Sequence, residues 1–439
     1  MQFESMADRF GLTDTGVCAA HPMKILIYSA NFAPEPTGTG KYSGDMAAWL
    51  AARGHDVRAV AAPPYYPAWQ VDPAYSGLAY RREKWRGVDV WRAPIWVPKA
   101  PTGLTRVLCL ISFALTSFPL IVRQIFWGPD LVISVAPALV CAPAAWFAAR
   151  ICGAEAWLHM QDFEVDLAIR MNMLRGSFLN RLVLGMERLL LRHFDVVSSI
   201  SGRMTERLLL KGVKAQRIRY FPNWVDMAHI NPSSGYPATG SGSYRARLGI
   251  DRDAVVVLFS GTLGGKQGLS IIPETARLLA ARKDIVFLIC GDGIMKPQLE
   301  AASADLPNVK LLPLQPIEKL GQLLCTADIH LLPQSANAAD LVLPSKLAGM
   351  LASGRPVIAT CHEGTEIHGV VSQCGAVVPP QDSAALARAV CQLADDPQSR
   401  YRLGHAARDY AENNFERDAI LSRLFERFET SEERLGDTA

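Results

Sequence analysis

Two lysines set among glycines carry the clearest chemistry in this sequence. Ser260 to Gly268 reads Ser-Gly-Thr-Leu-Gly-Gly-Lys-Gln-Gly, between an apolar run and a helical pattern. Gly261, Gly264 and Gly265 let backbone N–H groups approach an anion, and the following helix terminus adds a favourable dipole. Lys266 supplies the neutralising charge, so the loop reads as a diphosphate site; a solvated loop lysine is the plainer alternative. The second lysine, Lys346, follows Pro344-Ser345 at the start of an apolar helical pattern. Ser345 is the predicted N-cap. A cation in the first turn opposes the helix dipole, which points to an anionic ligand. Asp340 stands just upstream.

Three further groups could contribute. Gly38-Thr39-Gly40 lies in a loop between a strand and a helix, where backbone amides can meet a sugar or phosphate. It is not a Walker A loop, which needs Gly and Ser/Thr where Glu35 and Tyr42 stand. It is not a dinucleotide fingerprint either, since Ser43 replaces the third glycine. Gly291-Asp292-Gly293 follows another strand and is a ligand-edge turn or a plain tight turn. His159-Met160-Gln161-Asp162 ends an apolar strand; Asp162, with Glu164 and Asp166 nearby, is suited to sugar hydroxyls, while His159 is either catalytic or a satisfied buried histidine. Trp224, between Asn223 and Asp226, lines a sugar site or packs at a hinge.

Short apolar runs alternate with helical patterns, which signals parallel sheets with crossover helices. The series opens at Lys24–Ser29, continues through Asp56–Ala61, Asp130–Val135, Ala156–Met160 and Asp195–Ile200, then restarts at Val255–Ser260 and Ile285–Cys290. The predicted class is therefore α/β. Its 439 residues are too many for one core, and two domains are expected. Residues 1–22 read as a disordered extension, and Asn231–Ser243, rich in Gly, Ser and Pro, as a flexible loop near the domain boundary.

Composition narrows the function. Hydrophobic residues at 49% and charged residues at 20% fit a globular protein, and a net charge of +3 without a basic stripe argues against nucleic acid as a partner. The nine cysteines form no CxxC pair, so a zinc site or disulfide framework is not expected, and a cytoplasmic location is. Neither an Asp-x-Asp pair nor a histidine cluster suggests a metal. One segment stands apart: Val107–Val122 is almost wholly apolar, bracketed by Arg106 and Arg123, and shorter than a spanning helix. It predicts a buried helix or one that meets the cytoplasmic leaflet, with Arg81, Arg82, Lys84, Arg86, Arg92 and Lys99 close by.

Taken together, the opening strand and Gly-rich loop, Arg53-Gly54-His55-Asp56-Val57, Ser201-Gly202-Arg203-Met204, Pro222-Asn223-Trp224-Val225-Asp226, the lysine loop, Gly291-Asp292-Gly293 and Gly354-Arg355-Pro356-Val357 resemble family 4 glycosyltransferases of the colanic-acid exopolysaccharide subgroup. The likeness runs from Met23 to about Phe428. It implies a GT-B fold of two facing Rossmann-like domains, an acceptor-side domain at 23–217 and a donor-binding domain at 218–414, with a helix near 415–430 returning to the first. By position it implies that Lys266 binds the donor diphosphate, that Gly291, Asp292, Gly293, Leu314 and Gln315 border the base, and that Pro344, Ser345 and Lys346 approach the phosphates or sugar. The Gly38–Gly40 loop would face donor and acceptor.

The sequence also departs from that pattern. Leu341 and Gly349 stand where the broader family places two glutamates, Thr262 and Leu263 where a basic partner precedes the loop lysine, and Gln161 where many members have a cleft histidine. Lys346 and Asp340 are the residues placed to compensate. The expected reaction is retaining transfer from a GDP- or UDP-sugar, GDP-fucose included, to a lipid-linked oligosaccharide at the cytoplasmic face of the membrane, with no cofactor. A nucleotide-sugar epimerase of the same fold and a non-catalytic sugar-nucleotide-binding subunit are the alternatives.

Overall fold

The computed structural model describes residues 22–36, 38–99, 101–166, 177–230, 232, 243–336 and 343–429. The leader, most of the 231–243 loop and Asp340 fall outside the described residues.

The first half forms an eight-stranded sheet in the order β3-β4-β2-β1-β5-β6-β7-β8. Its strands are β1 (Lys24–Ser29), β2 (Asp56–Ala61), β3 (Arg81–Trp85), β4 (Val88–Arg92), β5 (Leu131–Ala136), β6 (Glu155–Met160), β7 (Val196–Ser199) and β8 (Ile218–Tyr220). All neighbours are parallel except β3, which pairs antiparallel with β4. The second half forms an all-parallel sheet in the order β11-β10-β9-β12-β13-β14. It is built from β9 (Val255–Ser260), β10 (Ile285–Cys290), β11 (Val309–Leu312), β12 (Ile329–Pro333), β13 (Val357–Thr360) and β14 (Gly375–Val378). β1, β5, β9 and β10 are buried along their whole length or nearly so, as strands covered by helices on both faces must be.

Both sheets reverse their strand order once, between β1 and β5 and between β9 and β12. Ligands of open α/β sheets bind at the carboxyl side of such reversals. The two glycine loops foreseen above follow β1 and β9, so each sits at its sheet's reversal.

The helices of the first half are α1 (Gly38–Ala52), α2 (Gly103–Ile125), α3 (Ala142–Cys152), α4 (Ser177–His193) and α5 (Gly202–Leu210). One face of the sheet is covered by α2, α3, α4 and α5, whose Phe113, Ala145, Leu191 and Met204 join one core cluster. The other face is covered by α1 and, from the far end of the chain, α13 (Arg417–Glu429), through Ile420, Leu421 and Phe425. Trp49 donates to Asp418 at 3.0 Å and Phe425 packs on Trp49 and Trp157. The second half carries α6 (Ile271–Leu278), α7 (Lys296–Ser303), α8 (Leu320–Thr326), α9 (Lys346–Ala352), α10 (Glu366–Cys374), α11 (Ser383–Asp395) and α12 (Pro397–Phe415).

Two local readings change. The β3–β4 hairpin is not visible as alternation, because β3 (Arg-Arg-Glu-Lys-Trp) is polar and serves as an edge. The apolar helix is longer than its apolar core: α2 spans 23 residues, because Thr102 and Thr105 form a reciprocal capping box upstream of Val107.

Candidate active site

The first loop is organised around a buried acid. Glu35 accepts from the backbone N–H groups of Tyr65 (3.1 Å) and Tyr66 (3.0 Å) and from Asn31 Nδ2. Burial pushes its carboxyl up to about 7, against the pull of those hydrogen bonds and of Arg92. Gly40 is required beside it: a Cβ there would lie 2.3 Å from Glu35 Oε2. Gly38 opens α1 with φ +62°, a conformation suited to glycine. A carboxylate between two prolines, Pro34 and Pro36, was the available signal for Glu35.

The second loop is held by its neighbour. Gly261 N–H donates to Cys290 O at 3.0 Å and Leu263 N–H to Asp292 O at 2.8 Å. Gly291 and Gly293 permit this contact, since Cβ atoms there would lie 2.0 Å from Gly261 O and 2.5 Å from Leu263 O. Asp292 accepts from Gly293 N–H at 2.8 Å. Gly264 precedes a 3-10 turn at Gly265–Gln267 that contains Lys266, whose side chain lies outside the described residues. A Cβ at Gly265 would meet only open space. Gln315 accepts from Tyr244 at 2.9 Å and donates to Pro313 O at 2.7 Å, while Leu314 is half exposed.

Lys346 lies beside this loop. Its Nζ is buried, stands 4.1 Å from the centre of the Phe259 ring, and has no hydrogen-bond partner among the described residues. Burial draws its pKa down to about 7. A Cβ placed on Gly261 would lie 3.4 Å from Lys346 Cδ and 4.0 Å from Nζ. The side chain therefore points at the glycine loop, although 85 residues separate the two in sequence. An unpaired buried ammonium is costly unless a ligand anion comes to it.

Ser345 stands at the N-cap position foreseen but does not cap the helix. Its backbone is already helical (φ −57°, ψ −25°) and its side chain makes no capping bond. The hydroxyl instead lies close enough to Tyr42 of α1, in the other half of the chain, to favour the ionised form of that phenol. Tyr42 also packs edge-on to Trp224, which is buried and stacked on Phe221, so the tryptophan packs at the junction of the halves. A second bridge joins the halves at Glu366, whose Oε1 accepts from Gly202 N–H at 3.1 Å, beside a bond from Arg203 to Gly364 O. Each of these residues follows, or lies one helix-start beyond, a strand's carboxyl end. The two carboxyl edges therefore face one another across a cleft. Tyr42 and Glu366 carried no sequence signal, because their partners lie 303 and 164 residues away.

On the acceptor side, His159 is buried, with Nδ1 2.8 Å from Ser198 Oγ and Nε2 3.1 Å from the Gln161 amide. Burial draws its pKa down to about 3, so it is neutral at physiological pH. Asp162 ends the same segment and accepts from Phe163 N–H at 2.8 Å. The nearby carboxylates are engaged: Glu164 accepts from Leu139 N–H at 2.9 Å, and Asp166 pairs with Arg207 and Lys211. The structure thus brings Gly261, Gly291, Asp292, Gly293 and Lys346 together at the carboxyl ends of β9 and β10, with Gly264 and Gly265 continuing the same loop, and keeps His159 in the core.

Comparison with known proteins gives the family. Residues 37–224 match the family described as Glycosyl transferase 4-like domain, and residues 254–396 match Glycosyl transferases group 1. A protein of Escherichia coli (strain K12), named as the colanic acid biosynthesis glycosyl transferase WcaI, is 38% identical over 410 residues, covering 92% of this chain and 98% of its own. The chain is a family 4 glycosyltransferase. It belongs to the subgroup of that E. coli protein. A D-inositol 3-phosphate glycosyltransferase of Thermomonospora curvata is 26% identical over 272 residues, 58% of this chain and 62% of that one. Among solved structures, sucrose-phosphate synthase from Thermosynechococcus elongatus superposes with TM-score 0.70 at 18% identity, covering 95% of this chain and all of that one. HepE from Anabaena, in complex with UDP and glucose, gives 0.64 at 18% identity over 92% and 99%. Those two likenesses concern the GT-B fold, which this glycosyltransferase shares.

Proposed function

We propose that this glycosyltransferase moves a sugar, with retention of anomeric configuration, from a nucleotide diphosphate sugar to a lipid-linked oligosaccharide during exopolysaccharide assembly at the cytoplasmic face of the membrane. The donor is a GDP- or UDP-sugar, GDP-fucose being one candidate. The observation that carries the reading is Lys346: a buried, unpaired ammonium beside the glycine loop at the β9/β12 reversal.

Lys346, the N–H groups of the loop and Lys266 receive the negative charge that grows on the leaving diphosphate. Preorganised groups of this kind supply much of a catalyst's rate, because they need no reorganisation as the charge develops. The bond from the anomeric carbon to the diphosphate oxygen breaks and a bond to the acceptor oxygen forms on the same face. The acceptor's proton passes to a diphosphate oxygen, so neither a strong protein base nor a metal is needed. Asp162 and Gln161, at the end of β6, orient sugar hydroxyls from the facing edge. Lys346 takes the place of the missing basic partner, and closure of the cleft excludes water.

The test is a thermal-shift series with GDP, UDP and their sugars, since a ligand that binds only the native state raises its stability. One nucleotide series should raise Tm in the parent protein and fail to do so in Lys346→Met. Equal stabilisation of the two proteins would overturn the assignment of Lys346 to the diphosphate.

A further inference from the structure

The helices α2, α3 and α4 lie side by side on one face of the first sheet, and their outer surfaces are apolar. On α2, Leu104, Leu108, Ile111, Leu115 and Phe118 are exposed at spacings of three and four, so they form one stripe along the helix. Leu115 is 71% exposed. On α3, Phe147 and Ile151 are exposed four residues apart, and on α4, Leu182, Met186 and Leu189 repeat the pattern, with Met186 at 63%. α2 packs on α3 and α3 on α4, so the three stripes belong to one surface. Soluble monomers rarely leave so broad an apolar face uncovered.

The charges on the same helices have one sign. α2 carries Arg106 and Arg123, α3 carries Arg150, and α4 carries Arg181, Arg188 and Arg192, all exposed. The one carboxylate in the three helices is Glu187, which is buried and paired with Lys211. Among the described residues, Arg150 alone of these arginines has a carboxylate partner, Asp195 at 2.7 Å. In the segment that leads into α2, Arg81, Arg82 and Arg92 pair with Glu83 and Asp89, and Lys84, Arg86 and Lys99 remain as exposed bases, in a chain whose total charge is only +3. An apolar plane bearing arginines and no exposed carboxylate complements a bilayer with anionic headgroups.

α2 is apolar and long enough to cross a membrane. Its inner face is tied to the sheet, however. Ser117 Oγ bonds Tyr28 Oη at 2.5 Å, Gln124 Oε1 accepts from Arg58 at 3.1 Å, and Cys109, Phe113 and Ile121 are buried. Leaving the fold would strand those groups, so the helix lies along a surface. It starts after β4, on the cleft side of the sheet.

We infer that the outer face of α2, α3 and α4 seats this glycosyltransferase on an anionic membrane surface, with the cleft opening beside the headgroups. The inference rests on the reading of a lipid-linked acceptor only for its purpose; the surface itself is independent of it.

The test is flotation of the full-length protein with phosphatidylcholine vesicles, with and without phosphatidylglycerol. The parent should float with the anionic vesicles and be released by salt. Leu115→Glu and Met186→Glu should each cut partition about tenfold, and Arg188→Gln about fivefold. Thermal unfolding of each variant, with and without nucleotide sugar, should match the parent, because all three side chains are exposed. Absence of flotation, or equal flotation with neutral vesicles, would overturn the inference. So would a soluble dimer dissociated by Met186→Glu, which would make the face a contact between copies. Failure of every nucleotide sugar to stabilise the parent would instead count against the donor reading and leave this one standing.

Discussion

The two glycine loops are built alike and behave oppositely. Each follows the strand at its sheet's reversal, and each lies near a buried ionisable side chain: Glu35 in the first half, Lys346 in the second. Glu35 is surrounded by donors, with two backbone N–H groups and the Asn31 amide pointing at it. Lys346 has an aromatic face and a glycine beside it and no acceptor among the described residues. A buried polar group whose partners are all internal supports the fold. One left without a partner reserves a place for a ligand, at a cost in stability. The first loop is thus satisfied from within the fold, and the second is the loop that the proposed function assigns to the donor's diphosphate.

The largest expected break in that contrast is Lys346→Met. Removing one preorganised charge at a leaving group should lower kcat by roughly 10²- to 10³-fold. The same change should raise the Tm of the ligand-free protein, because it removes a buried unpaired amine. A lower Tm with unchanged turnover would reverse the roles of the two loops.

Next is Gly40→Ala, which drives a methyl into Glu35. Overpacking of this kind costs about 1–3 kcal/mol, and denaturant titration should show it as a shifted midpoint with an unchanged slope. Turnover per folded molecule should fall less than in Lys346→Met.

The pH dependence of donor binding comes third. Lys346, at about 7 in the free protein, is mostly neutral above that pH. A diphosphate raises its pKa, so binding should take up a proton near pH 8 and weaken as pH rises. Calorimetry in buffers of different ionisation enthalpy measures this uptake; Lys346→Met should abolish it.

The smallest effect sharpens the other side. Glu35 has a folded pKa raised to about 7 from an ordinary 4.5, so the native state binds the extra proton between those values. Stability from this group is therefore full below about 4.5 and declines as pH rises to about 7. Glu35→Gln should flatten that part of the profile, read from Tm against pH, and leave donor affinity alone. Lys346 contributes with the opposite slope. Its unfolded form binds the extra proton between about 7 and 10.5, so stability rises with pH across that window.

Much of this was legible in the chain. Apolar runs of strand length, glycines after two of them and helical periodicity beyond gave the α/β class, since each is a local signal. Lys346 showed itself through a cation in a helix's first turn. Long-range choices were not legible. Ser345 looks like a cap in sequence and stands at the helix start without capping it, because its backbone is already helical there. His159 at a strand end reads equally as a cleft or a core residue, and burial against Ser198 and Phe221 decided for the core.

The sequence by itself determined the strand-loop-helix units, the family and the two lysines set among glycines, because these depend on residue type and short spacing. The tertiary structure decided which buried group is satisfied and which is not, since that depends on partners brought in from distant segments. It also decided that α3 and α4 join α2 in one apolar face. α4 carries leucines all round, and only packing against the sheet shows which of them are left outside.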